Sequence, residues 1–249
     1  LVCARAMGLR QAVALVRRRG RFMQEACPPG AGAMATVLGL SSDVVLEVCR
    51  EARSAGVVEA ANFNCPGQVV ISGHAAAVDL AAEMATARGA RRVIRLNVSG
   101  PFHSSLLQQA GERLQDELDH VRISRPRVPV YANVTAGPPA APVPRAIRAL
   151  LVQQVASPVL WEQTMVNMAR AGIDVFIEIG PGRTLTSFVK KTLPQATALN
   201  VEDLASLDAL RAAVSRARAD RAAAAPALAP AGVAAAPITA GAGAGGGVW

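Results

Sequence analysis

A chain of 249 residues, 51% hydrophobic but only 3% aromatic, is long enough for one or two domains built on an aliphatic core. It contains no run of eighteen apolar residues, and residues 1–8 lack the charged start and long apolar stretch of a signal peptide, so a membrane span and a secreted product are disfavoured and a cytoplasmic setting is the default. The net charge of +8 comes almost wholly from arginine, and reads either as solvated faces or as attraction to an acidic or phosphorylated partner; without interleaved aromatics or a zinc-finger or RNP motif it does not point to nucleic acid.

In chain order, Ala12, Leu15, Val16, Phe22 and Met23 recur at helical spacing among arginines, which predicts an amphipathic helix over 10–25 that Pro28, Pro29 and Gly30 end. A strand is expected over 33–38, a helix over 41–55 capped by Ser42 or Asp43, and a strand over 57–64. The turn Cys65-Pro66-Gly67 leads into a strand over 68–72, followed by a helix over 75–88 and a strand over 91–98. This β-α-β-β-α-β order is the ferredoxin-like arrangement. Beyond it the pattern predicts a helix over 106–120, a strand over 128–133 and helices over 144–156 and 161–171. A strand over 175–179 then breaks at Gly180-Pro181-Gly182 into a helix over 184–192, which is α/β grammar.

From about residue 222 the chain is almost entirely Ala, Pro and Gly, a composition that buries too little to offset chain entropy. The expected organisation is therefore residues 1–30 in a large α/β subdomain, 31–98 as a ferredoxin-like small subdomain, 99–218 as the remainder of the large one, and 219–249 as a disordered tail. Cys3, Cys27, Cys49 and Cys65 form no C-x-x-C pair and read as buried thiols rather than as zinc ligands or disulfides.

Few side chains are placed for chemistry. His103 is the best general-base candidate, because it follows Gly100-Pro101 on a loop leaving a strand and is followed by the small Ser104 and Ser105. His74 and His120 read as loop and helix-end residues. Arg17, Arg18, Arg19 and Arg21 read as a solvated face or as one planar fork for a carboxylate, and spacing does not choose among them. Gly180-Pro181-Gly182 lacks both the third glycine of a dinucleotide fingerprint and the Gly-Lys-Ser/Thr of a P-loop, so it reads as a tight strand-to-helix turn.

Seven segments occur in an order and spacing that resemble the malonyl-CoA:acyl carrier protein transacylase family. They are Arg19-Gly20-Arg21-Phe22-Met23-Gln24-Glu25-Ala26, Gly32-Ala33-Met34-Ala35, the run from Asn62-Phe63-Asn64-Cys65-Pro66-Gly67 to Gly73, Ser99-Gly100-Pro101-Phe102-His103-Ser104, Asn133-Val134-Thr135, Gln154-Val155-Ala156-Ser157-Pro158-Val159-Leu160-Trp161 and Glu178-Ile179-Gly180-Pro181-Gly182. The resemblance runs from Leu1 to about Leu207. It implies an α/β fold, with an α/β-hydrolase-like acyltransferase core, incomplete at its N-terminus, into which the ferredoxin-like subdomain is inserted. By position it makes His103 the catalytic base, Arg19 the partner of the malonyl carboxylate, and Gln154 the residue whose backbone carbonyl orients the histidine. Met23, Asn62 and Asn64 become pocket residues, and Phe102 the aromatic that leaves no room for a 2-methyl branch.

The implied activity is S-malonyl transfer in fatty-acid biosynthesis, from malonyl-CoA to the phosphopantetheine thiol of acyl carrier protein through a malonyl-serine. Malonyl-CoA and acyl carrier protein are then the partners, with no bound cofactor or metal, no nucleic acid, no membrane and a monomeric state. The sequence departs from the family in one respect: no Gly-x-Ser-x-Gly elbow occurs anywhere in it. The family's elbow would fall immediately before Leu1, and its Gly-Gln-Gly oxyanion segment further upstream. The expectation is a piece of a larger enzyme, inactive alone. Two other readings stay open, an acyltransferase domain fragment of a modular polyketide synthase with the tail as linker, and a non-catalytic fragment that binds carrier protein.

Overall fold

The computed structural model describes residues 1–224, which fall into a unit of residues 1–202 and a second unit that begins at Asp203. The first unit opens with α1 (Leu9–Glu25), whose Leu15, Phe22 and Met23 are buried. The chain then enters a self-contained β-α-β-β-α-β module: β1 (Gly32–Leu38), α2 (Ser42–Ala52), β2 (Val58–Cys65), β3 (Gln68–His74), α3 (Ala75–Ala87) and β4 (Arg92–Arg95). Its sheet order is β2-β3-β1-β4 with every pair antiparallel, the ferredoxin-like topology expected from the pattern.

Alternation along β1 sends Ala33, Ala35 and Val37 to one face, where they meet Val45, Val48, Cys49 and Ala52 of α2 and Ala77, Val78, Ala81 and Ala85 of α3. Small alanines on the facing helices let backbone come close to sheet, so a core poor in aromatics still packs densely. Burial of the Cys49 thiol among these groups pushes its pKa up to about 12, so it stays protonated and packs as a small hydrophobe. The cap of α2 is Ser41, whose Oγ accepts from the Val44 N–H at 3.4 Å, rather than Ser42 or Asp43; both of those lie inside the first turn.

A bulge at Ala61 shifts the β2–β3 register between Ala60 and Asn62. Without it, Phe63 would share a face with Ala61; with it, Phe63 packs against the same helix-facing core as Val58 and Ala60. The opposite face carries a smaller cluster of Met34, Ala61 and Val70, covered by Leu96 and Phe102.

In the rest of the first unit, α1 packs on α4 (Gln108–Asp119), and α4 on α5 (Pro144–Gln153), around Phe22, Met23, Leu107, Leu114, Leu118, Ile147 and Val155. Arg148 of α5 donates to the carbonyls of Leu118 and Val121 at 3.0 and 2.8 Å, closing the end of α4 with the charge its dipole favours. The module is tied in by Phe63 N–H to the Val159 carbonyl (2.9 Å) and Val159 N–H to the Ala61 carbonyl (2.8 Å), just before α6 (Trp161–Arg170). β5 (Val175–Ile179) leads through α7 (Thr184–Thr192) to β6 (Thr197–Val201), which pairs parallel to β5. The second unit is described as a helix, α8 (Leu204–Ala224).

Further sequence expectations change, among them that all four cysteines are buried thiols: Cys27, Cys49 and Cys65 are, but Cys3 is exposed. Residues 128–133 form no strand, only a single bridge from Ala132 to Gly137, because no described strand lies alongside to pair with them and Pro129, second in the run, offers no donor. The strand expected over 91–98 stops at Arg95, one further bond joining Leu96 N–H to the Met34 carbonyl. β6 was not anticipated, since Thr197–Val201 is short and lacks turn residues. Positions 219–224, where the tail was expected to start, continue α8, and the rest of that tail lies outside the described residues. Among the described residues no helix is long and apolar enough to cross a membrane.

Gly73 shows how tightly β3 meets the start of β2: a Cβ there would run into the Val57 carbonyl. Gly73→Ala is expected to destabilise the protein by about 2 kcal/mol or more, seen as a lower denaturant midpoint. Gly20, inside α1 with nothing near its absent Cβ, should give the opposite sign, Gly20→Ala stabilising by about 0.5–1 kcal/mol.

Candidate active site

The loop between β4 and α4 holds His103 in a conformation that side chains seldom adopt, with φ at +61°. A non-glycine residue there carries about 1 kcal/mol or more of strain and persists only where neighbours determine it. Here they do. The buried Ser104 hydroxyl donates to the Pro101 carbonyl at 2.7 Å, and Phe102 N–H to the Gly100 carbonyl at 3.0 Å. Pro101 lies so close over Gly32 that any Cβ at that position would overlap its ring. Ser105 N–H donates to the Glu59 carboxylate of β2 at 2.8 Å.

Held this way, His103 Nδ1 lies 3.1 Å from the backbone carbonyl of Gln154, the residue that ends α5. A carbonyl oxygen only accepts, so Nδ1 carries the proton and Nε2 is left with the free lone pair. Burial holds the ring pKa below its ordinary value and the Arg19 charge lowers it further, against the backbone of Gln154 and Ser157, which favour the protonated ring. The imidazole is therefore neutral at pH 7 and ready to accept a proton.

Arg19 separates from its neighbours on α1. Arg18 pairs with Glu117, and Arg21 pairs with Glu25 and stacks over Phe22. Arg17 and both of these are exposed, whereas Arg19 is half-buried and its Nε is enclosed without an acceptor. Burial lowers its pKa from the ordinary value. The unsatisfied donor and the guanidinium beside His103 make this the one arginine of the run aimed at the site.

Met23 is buried in the α1–α4–α5 core behind the loop, while Phe102 is half-buried and packs against both that core and the Met34 cluster. Asn62 and Asn64 lie half-buried on β2 around the bulge, and no bond joining them to His103 or Arg19 is present among the described residues. Sequence reasoning missed two contributors. The Ser157 backbone carried a signal, standing before Pro158 in an extended stretch; Glu59 carried none.

The Gly180-Pro181-Gly182 turn is a connection, as read from sequence. Its following helix N-terminus is already filled by Glu178, whose carboxylate accepts from Leu185 N–H, Thr186 N–H and Thr186 Oγ1 at 3.1, 2.8 and 2.7 Å. Burial works to raise the Glu178 pKa, but these bonds outweigh it and hold it low. Among the described residues there is no group of three or more His, Cys, Asp or Glu side chains able to hold a metal.

Residues 1–226 match the family described as acyl transferase domain. The chain belongs to that family. It is 43% identical over 204 residues to the malonyl CoA-acyl carrier protein transacylase of Bacillus subtilis (strain 168), covering 82% of this chain and 64% of that relative. The crystal structure of malonyl CoA-acyl carrier protein transacylase from Clostridium perfringens superposes with a TM-score of 0.84 at 40% identity, over 89% of this chain and 69% of that one. A malonyl-transacylase solved with a type II polyketide synthase acyl-carrier protein gives 0.80 at 39% identity, over 83% and 66%. The acyltransferase reading of the fold, with its ferredoxin-like insertion, thus agrees with its relatives, while the chain spans about two thirds of their length.

The neutral ring makes a titration test. The folded-state pKa of His103 lies below the unfolded value, so the stability it contributes is complete above pH about 6.5 and is lost as pH falls toward the lowered pKa. By NMR, His103 should titrate below the ordinary imidazole range. Arg19→Ala should move that midpoint up, because a positive charge is removed, whereas Arg17→Ala should not.

Proposed function

We propose that this chain supplies the base and the carboxylate-binding arginine of a malonyl-CoA:acyl carrier protein transacylase acting in fatty-acid synthesis. The observation that carries the reading is His103, oriented by the Gln154 carbonyl, within electrostatic reach of a half-buried Arg19 whose Nε has no acceptor. Carbonyl-oriented imidazole is the partner of a hydroxyl nucleophile, and a guanidinium fork in a dry pocket selects an acyl group with its own carboxylate. Relatives named for malonyl transfer, one solved with an acyl-carrier protein, support the substrate and the partner.

In this mechanism a serine hydroxyl gives its proton to His103 Nε2 as it attacks the malonyl thioester. Coenzyme A leaves as the histidine returns the proton, and the carrier thiol then repeats the sequence in reverse on the malonyl-serine. Arg19 neutralises the malonate carboxylate throughout. Acetyl would leave it buried and unpaired, so discrimination arises from what the wrong substrate fails to satisfy. Phe102 beside the base adds a steric limit against a 2-methyl branch, with Met23, Asn62 and Asn64 forming pocket wall.

No Gly-x-Ser-x-Gly lies in the 249 residues, and Ser104 does not substitute, being buried with its hydroxyl committed to Pro101. The reading therefore gives the serine to a separate segment. Apolar surface supports this: Leu9, Val13 and Val16 form an exposed stripe on α1, and Ile177 and Ile179 of the two-stranded parallel sheet are exposed, although parallel sheets are ordinarily covered on both faces. Free thiols at Cys27, Cys49 and Cys65, all buried, suit a reducing cytoplasmic setting.

With labelled malonyl-CoA, the 249-residue chain alone is expected to form no covalent adduct. Joined to a segment bearing Gly-His-Ser-x-Gly it should form a stoichiometric malonyl-serine, and failure of the joined protein to do so would count against the proposal. In that protein Arg19→Ala should lower malonyl kcat/KM relative to acetyl by about 2–3 kcal/mol, and Arg17→Ala by far less. Equal losses from both substitutions would assign the effect to surface charge instead.

A further inference from the structure

We propose that Glu59, on β2 of the ferredoxin-like module, is a positioning residue for His103. The helical run after the histidine begins with a tight turn at Ser105–Leu107 and continues as α4, and its first N–H groups have no intrahelical acceptor. Ser104 stands at the capping position, yet its side chain makes no cap bond because the hydroxyl is turned back to Pro101. The acceptor comes instead from 46 residues away: Glu59 Oε2 takes the Ser105 N–H at 2.8 Å. A carboxylate is the group best suited to that place, since it meets both the free donor and the positive end of the helix dipole.

Glu59 is itself well fixed. Its neighbours Val58 and Ala60 are buried in the module's helix-facing core, and it pairs with Ser72 of β3. Alternation then aims its side chain at the other face of the sheet, the one that Phe102 covers. His103 lies two residues before Ser105 and has φ at +61°, so the loop is pinned on both sides of a strained residue: Gln154 holds the ring from α5, and Glu59 holds the backbone from β2. Removing Glu59 gives the loop a way to relax that strain and lets the ring drift from the Gln154 carbonyl toward water. The structural claim stands apart from the chemistry, and its catalytic meaning rests on His103 being the base.

The chain has three histidines, His74, His103 and His120, so a histidine-labelled sample reports each ring separately. His74 accepts the Val57 N–H through Nδ1 at 3.1 Å, close to Glu59 along β2, and serves as a monitor of the module's own fold. In the 249-residue chain, Glu59→Ala should speed Ser105 amide exchange about tenfold and raise the His103 titration midpoint toward the ordinary value, leaving the ring resonances of His74 and His120 where they stand in the parent. Glu59→Gln keeps a carbonyl acceptor and should stay within about threefold of the parent exchange rate. Unchanged Ser105 exchange and His103 titration in Glu59→Ala would overturn the proposal, as would His74 and His103 shifting together, which would mark Glu59 as a fold residue only. In a serine-bearing protein the same substitution should lower kcat with KM nearly unchanged. An inactive parent protein would sink the transacylase reading while leaving the NMR result to decide the role of Glu59.

Discussion

The hydrogen bond from His103 to the Gln154 carbonyl is the constraint around which this structure is arranged. It joins the loop after the inserted module to the end of α5, and His103 makes it from a left-handed backbone conformation. That conformation survives because the loop is short of freedom: a proline packed on Gly32, a buried serine bonded back to that proline, and a carboxylate from β2 on the residue two positions on. Two of these anchors reach the loop from β1 and β2, so the geometry of one imidazole depends on the docking of the module.

Burial sets the electrostatics. His103 and Arg19 are both removed from water, which pushes each toward its neutral form, and the arginine's charge lowers the histidine further. Arg19 lies on the one face of α1 that turns inward, while Arg18 and Arg21 find carboxylates at the surface. A helix of 17 residues with several arginines thus turns one desolvated cation inward, while Arg18 and Arg21 make surface ion pairs worth little to stability. The contrast with Glu178 is instructive. Its carboxylate is also in an element terminus, but three donors saturate it, and the Gly-Pro-Gly turn beside it becomes a closed structural joint instead of an anion site.

Local order was legible wherever a segment's own pattern decided its state. The module from β1 to β4 alternates or repeats strongly, is punctuated by Pro and Gly, and closes on its own core, so its topology followed from chain order alone. The expected strand over 128–133 failed because a strand is a pairing, and apolar alternation around Pro129 does not supply a partner. β6 was overlooked for the converse reason: Thr197–Val201 is unremarkable in composition and becomes a strand because β5 lies beside it. The bulge at Ala61 is likewise invisible in the residues and decides which face Phe63 takes.

The sequence by itself determined the fold class, the family and His103 as the candidate base, since these are carried by periodicity, turn chemistry and residue types in a fixed order. Spacing alone left Arg17, Arg18, Arg19 and Arg21 equivalent, because it does not say which face of a helix will be buried, and only the family resemblance singled out Arg19. Only the tertiary structure decided that Arg19 faces inward with an unsatisfied Nε, that the histidine's proton sits on Nδ1, and that Glu59 reaches the start of α4. These are properties of distance and desolvation between residues remote in the chain, and they come into existence only when the module docks on the helices that carry the site.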